Sequence, residues 1–335
     1  QGGDVTSGGS SARVSVAGDI QSAIITGSLA GNLETTAGGN LGLLLSKGPL
    51  AGSVSVSGAA NRIMALGGLS AASPLSVQND LGVLMTGDAM GGTLEVGGDG
   101  GTVLVRGGNL AGAVAVDGAL GSLSVLNGSI ANSGPEEASI NVGKRLGRLY
   151  VSGGGLGGEV VADRIGSVSV LDWAGIGGQV VSHSGISAVV TTGEFTGGVE
   201  APGHIALVNV GGDFTGSIIG RSLGRVSVRG DMSGGLLNAS GGSLDLVSVR
   251  GNVVDSSVSA AGTLSKAVVH GNYASSTLHA VRIGSAHIGG EISGESPAYM
   301  RAEQGWFRFY RDGSSWLIAD SDGYRFDQFH AYIDA

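Results

Sequence analysis

Six histidines lie at His183, His204, His270, His279, His287 and His330. None forms an H-E-x-x-H pair, and none stands with a carboxylate at a known metal-ligand spacing, so they read as scattered surface imidazoles. There is no cysteine, which excludes thiolate metal sites and disulfide staples. A phosphate loop needs G-x-x-x-x-G-K-[ST] opening a helix, and neither the motif nor the helix is present. Among 66 glycines, a chance G-x-G-x-x-G carries no information. No G-x-S-x-G elbow between a strand and a helix is visible. The carboxylates Glu159, Asp163 and Asp172 belong to turns without a basic cluster beside them. On these grounds the chain is not expected to be an enzyme, and no cofactor is expected.

Two rows of polar residues recur from one repeat to the next. Asp213, Asp231, Asn252 and Asn272 stand at the same place in four successive repeats. One reading is a string of Ca²⁺ sites, but the G-G-x-G-x-D-x-U-x pattern of calcium-binding nonapeptides is not reproduced, and two of the four are Asn. Turn capping by side-chain hydrogen bonds to the backbone accounts for them better. The second row is basic: Arg225, Arg229, Arg250 and Lys266, with His270 and Arg282 nearby. It would grip an anionic polysaccharide or the acidic surface of a neighbour, or it is simply solvated charge. The sequons Asn127-Gly128-Ser129 and Asn238-Ala239-Ser240 match a weak pattern.

These rows exist because the chain repeats. Clear copies of one unit begin at Leu120, Leu146, Ile165, Ile186, Ile205, Leu223, Leu244 and Leu264, with spacings after Leu146 of 19, 21, 19, 18, 21 and 20. Weaker copies start at Leu41 and Leu81, and Val14-Ser15-Val16-Ala17-Gly18-Asp19 reads as an early one. The unit fills nearly everything up to Gly294. Within it apolar residues alternate, as in Val168 and Val170, Val208 and Val210, Val226 and Val228, and Val247 and Val249. Period 2 with β-branched residues predicts half-buried strands, with Ser169, Asn209, Ser227 and Ser248 facing solvent. Leucine-rich repeats share the length but place Asn where this unit has Gly. There is room for two short strands per unit and none for a helix, so stacked units predict a narrow parallel β-solenoid of about 20-residue coils.

Composition agrees. Glycine is 66 of 335 residues, proline only 5, aromatics 4% and charged residues 13%. Collagen needs a G-X-Y period with abundant proline, and disorder needs low hydrophobicity and high charge. In a helix each glycine would cost roughly 0.8–1 kcal/mol relative to alanine. Tight corners use glycine, and a narrow interior takes Val, Leu and Ile with little room for rings. A surplus around 132–137 predicts an exposed loop. The net charge of −9 argues against nucleic acid as a partner, and no apolar run approaches a membrane span. No leader is recognisable at the start, so it was removed or the chain is a piece of something longer.

Units of the form V-x-V-x-G-D followed by T-G-S-I or S-G-G-L, as at Val208 and Val226, resemble the glycine-rich repeats of very large secreted bacterial surface proteins, those of planctomycetes included. They are similar in style to filamentous adhesin β-solenoids. The resemblance implies an extracellular or cell-surface location and a structural or adhesive role. It transfers no catalytic residue.

From Glu295 the composition changes. Ten of the 15 aromatics fall in the last stretch: Tyr299, Trp306, Phe307, Phe309, Tyr310, Trp316, Tyr324, Phe326, Phe329 and Tyr332. Asp312-Gly313 and Asp322-Gly323 are hairpin-turn dipeptides, so residues 295–335 predict a small antiparallel meander, roughly 306–311, 316–320 and 324–333. It would serve as a cap on the last coil of a solenoid over 1–294, as a docking element for another protomer, or as an aromatic sugar platform. The leading expectation is a structural subunit of an extracellular filament or surface layer, a homopolymer joined head to tail through this module. A monomeric adhesin or stalk fragment is the alternative. A polysaccharide-binding or polysaccharide-degrading β-helix comes third, because such enzymes have longer coils and loop-built clefts.

Overall fold

The computed structural model describes residues 3–7, 13–131, 138–293, 299–303, 306–311, 314–319 and 324–325. Among them the chain is all-β and contains no helix. It is a parallel β-solenoid of about 14 turns of roughly 20 residues, as the repeat predicts. Two compact units divide it, 1–174 and 175–335. The expected loop at 132–137 lies outside the described residues.

Each coil contributes to three parallel ladders, where the repeat suggested two strands. The first ladder carries the long strands. In the first unit these include Gly3–Ser7, Ile20–Ile25, Leu41–Ser46, Ala60–Ala65, Leu81–Thr86, Gly100–Val105 and Leu120–Leu126. The second ladder is a single bridged residue per coil: Leu29, Leu50, Leu69, Met90, Leu110, Ile130 and Leu156 in turn. The third consists of three- or four-residue strands such as Val14–Ala17, Leu33–Thr36, Val54–Val56 and Leu75–Val77. A lone bridged residue has no alternation around it, which is why the repeat did not reveal the second ladder. The second unit repeats the scheme, and its second ladder widens into a four-stranded parallel sheet of two-residue strands from Met232–Ser233 to Ile292–Ser293.

Every copy recognised from Leu41 to Leu264 begins a first-ladder segment in register with its neighbours. Val14–Ala17 does not. It pairs with Leu33–Thr36 in the third ladder, because both ladders show the same alternation followed by Gly and a polar residue. Ile20, Ala60, Gly100 and Ile283 open further first-ladder segments.

Six side chains per coil point inward. In one coil these are Leu223, Val226 and Val228 from the first ladder, Met232 from the second, and Leu237 and Ala239 from the third, all buried. The column Leu41, Ala60, Leu81, Gly100, Leu120 alternates large and small, so the large residues fill the space left by the small ones. Rings do enter the core of the second unit. Phe195 and Phe214 stack at 5.2 Å between centroids, and Tyr273 is buried higher in the same ladder. Glycine at the corner makes the room: a Cβ on Gly216 would stand 2.7 Å from the Phe195 ring, and one on Gly235 2.6 Å from that of Phe214.

The Tyr273 hydroxyl is buried without a hydrogen-bond partner, and burial raises its pKa above the ordinary phenol value. Tyr273→Phe removes an unsatisfied polar atom and is expected to stabilise the fold by about 1 kcal/mol at neutral pH. Below about pH 10 the phenol is neutral in both states and contributes no pH dependence. Above it the unfolded chain releases a proton that the folded one keeps, so parental stability falls as pH rises, by up to about 1.4 kcal/mol per unit. The variant should lack that increment. Denaturant midpoints of both proteins between pH 8 and 11 check this.

Candidate functional site

The polar row holds together in space. Asp213 Oδ1 accepts the N–H of Asp231 at 2.7 Å, Asp231 Oδ1 that of Asn252 at 2.6 Å, Asn252 Oδ1 that of Asn272 at 2.9 Å, and Asn272 Oδ1 that of Glu291 at 2.8 Å. Each side chain thus caps the next coil rather than its own turn. The carbonyls of Asp213, Asp231, Asn252 and Asn272 accept the N–H groups of Phe195, Phe214, Met232 and Val253 in the coil before. Asp and Asn both serve because each presents an oxygen along the stack, and the Asn252 Nδ2 also donates to Asp231 Oδ1 at 3.2 Å. A second such row, at the corner between third and first ladders of the first unit, was not anticipated. There Asp19 caps Asn40, Asn40 caps Ala59, Asp80 caps Asp99, and Asp99 caps Ala119, at 2.7–2.8 Å. The signal was a polar residue just ahead of Ile20, Leu41, Leu81 and Gly100.

No three His, Asp or Glu side chains converge as a metal site among the described residues. If the rows act only as caps, EDTA should leave the melting temperature unchanged. A large drop on chelation, reversed by Ca²⁺, would contradict the capping account.

The basic residues resolve into two rows on the outer surface of the second unit. Arg225 and Lys266 share a first-ladder row with Leu246 between them. Arg229, Arg250 and His270 occupy the position after the strand in consecutive coils, their N–H groups donating to Val210, Val228 and Val249 carbonyls. All five are exposed. Arg282 lies across from Thr263 at the ladder corner.

At the end of the second unit the composition change at Glu295 does not stop the parallel stack. Tyr299–Ala302 pairs parallel with 277–280, continuing the third ladder, and buries Met300 and Ala302 above Leu278 and Ala280. Trp306–Arg311 pairs parallel with 285–287, continuing the first. Only then does direction reverse. Ser314–Ala319 pairs antiparallel with Trp306–Arg311, which places Trp316 across from Phe309. Tyr324–Arg325 does not extend that hairpin as a meander would. It pairs antiparallel with Tyr299–Ala302, whose edge offers the same unpaired backbone groups. The first and third ladders are therefore both met by antiparallel strands. Phe326, Phe329 and Tyr332 lie outside the described residues. So Trp306, Phe307, Phe309, Tyr310, Trp316 and Tyr324 are brought to one end of the stack, as strand residues. In the first unit, Gly3–Ser7 and Val14–Ala17 each pair on one side only among the described residues.

Sequence reasoning missed Trp173, which is 94% exposed beside Asp172, whose carboxylate accepts the Gly153 N–H. Comparison with protein-family models, with curated proteins and with solved structures returns no match.

Proposed function

We propose that the chain is a non-enzymatic structural subunit of an extracellular filament or surface layer, extended end to end by strand-edge contact. The observation that carries this reading is the reversal of strand direction on both ladders at the aromatic end. Strand edges carry unpaired donors and acceptors, and isolated proteins blunt them with charge, proline or covering elements. Here the edge strand Ser314–Ala319 carries Trp316, Leu317 and Ile318 and no charge. It suits pairing with the singly paired edge at Gly3–Ser7 and Val14–Ala17 of another copy. A contact between two different surfaces that does not close on itself propagates as a filament. The coils then act as the spacer, and the extracellular setting follows the resemblance of the repeat to secreted surface proteins.

Removing 312–335 leaves the last parallel rung intact and deletes both antiparallel strands. The truncated chain is expected to keep its β circular dichroism and to sediment as a single species at concentrations where the full chain grows. Growth of the truncated chain equal to that of the parent would overturn the role given to the aromatic end.

A further inference from the structure

The first unit carries an outward surface that its own coils do not explain. In five consecutive first-ladder strands, from Ile20–Ile25 to Gly100–Val105, the residue between the last two inward side chains is Ile24, Leu45, Met64, Met85 and Leu104 in turn. The row two residues earlier adds Leu43 and Val83, and Leu66, 42% exposed, extends the surface past the strand end. The row members are half-buried, and the exposed Arg62 stands between Leu43 and Val83 in the earlier row. In the equivalent row of the next coils stand Ser124, Tyr150 and Ser169, so an aliphatic side chain is not required for folding there.

We infer that this face is a lateral interface with a second copy of the same chain, distinct from the end-to-end contact. Size is the first argument. Five rungs at about 4.8 Å and roughly seven residues at about 3.3 Å give a face on the order of 550 Å². Two such faces in contact bury about 1,100 Å², above the roughly 1,000 Å² a specific interface needs. Flat sheets with aliphatic faces pack in this manner, about 10 Å apart.

Charge is the second. The protein has net charge −9, yet these five strands hold no carboxylate, and Arg62 is their single charge. Lys47 and Arg106 follow the strands on one margin, and Asp19, Asp80 and Asp99 precede them on the other. A two-fold axis running along the stack midway across the face brings the basic margin of each copy toward the acidic margin of its partner. The surface is thus complementary to itself, as a two-fold interface requires.

Width separates this pairing from end-to-end growth, which changes length. In electron micrographs and sedimentation of the full chain, particles two stacks wide are expected at high concentration. Met64→Glu, and independently Leu104→Glu, should return them to single width, raise the dissociation constant of pairing at least ten-fold, and leave circular dichroism and lengthening unchanged. Ser76→Glu, on the outer face of the third ladder, should leave the width doubled. Parental particles of single width, as a different occupant of the face would give, overturn the inference. So does double width that survives both Glu variants, or an equal response to Ser76→Glu.

Discussion

Val228→Asp is expected to destabilise the second unit by about 3–5 kcal/mol, the cost of burying a carboxylate with no partner. Val228 is fully buried, and its neighbours above and below in the column, Val210 and Val249, are equally shielded. Above and below it in the column the new side chain would meet only valines. Shifting the strand by one residue to rescue it would turn Val226 and Leu223 outward as well, so the ladder has no inexpensive escape. Ser227→Asp places the same charge on the outer face and should change stability by no more than about 0.5 kcal/mol. Thermal melts of the two variants separate the cases. Equal melting of Val228→Asp and the parent would show that the inward register is wrong.

A comparable loss is expected from one added methyl group at a corner. Gly52 lies between the second and third ladders, and a Cβ there would stand 1.8 Å from the Gly31 carbonyl oxygen and 2.6 Å from its carbon. Both are backbone atoms of the coil below. The coils cannot simply part, because the Gly52 N–H donates to the Leu29 carbonyl at 2.8 Å and Leu50 is bridged to Leu29. Gly52→Ala should therefore cost about 3 kcal/mol, the upper range of overpacking. Gly38 provides the contrast. It has a positive φ of 76° and no atom within 4 Å of an added Cβ, so Gly38→Asn meets only a backbone preference that Asn tolerates. Denaturant titration should place Gly38→Asn near the parent and Gly52→Ala far below it. Similar midpoints would mean that conformational freedom, not coil spacing, explains this glycine.

The parts of the fold that were legible in the sequence are those where one residue type is forced at every turn. Inward positions such as Val168 and Val170 or Val247 and Val249 recur because each stacks on its counterpart, and that fixed both period and phase. Where the column uses a small residue the signal vanished. Gly100 opens a first-ladder strand, but its missing side chain is replaced by Leu120 of the next coil, which a Cβ on Gly100 would meet at 2.9 Å. The interior was expected to have little room for rings, yet Phe195 and Phe214 fit because Gly216 and Gly235 stand beside them. The capping row from Asp213 to Asn272 was visible as a column, but its direction was not, since an oxygen bonding along the stack leaves no mark on local spacing. At the aromatic end the hairpin at 306–319 was readable from Asp312-Gly313. The return of Tyr324–Arg325 to Tyr299–Ala302 is a contact between distant segments and was not.

End-to-end assembly is tested most directly by imaging the intact chain across a concentration series. Negative-stain electron microscopy from about 0.1 to 100 µM should show particles whose length grows with concentration, with a regular axial repeat of one protomer. Particles of one fixed length across the whole series, sedimenting with the mass of a single chain, would contradict the account.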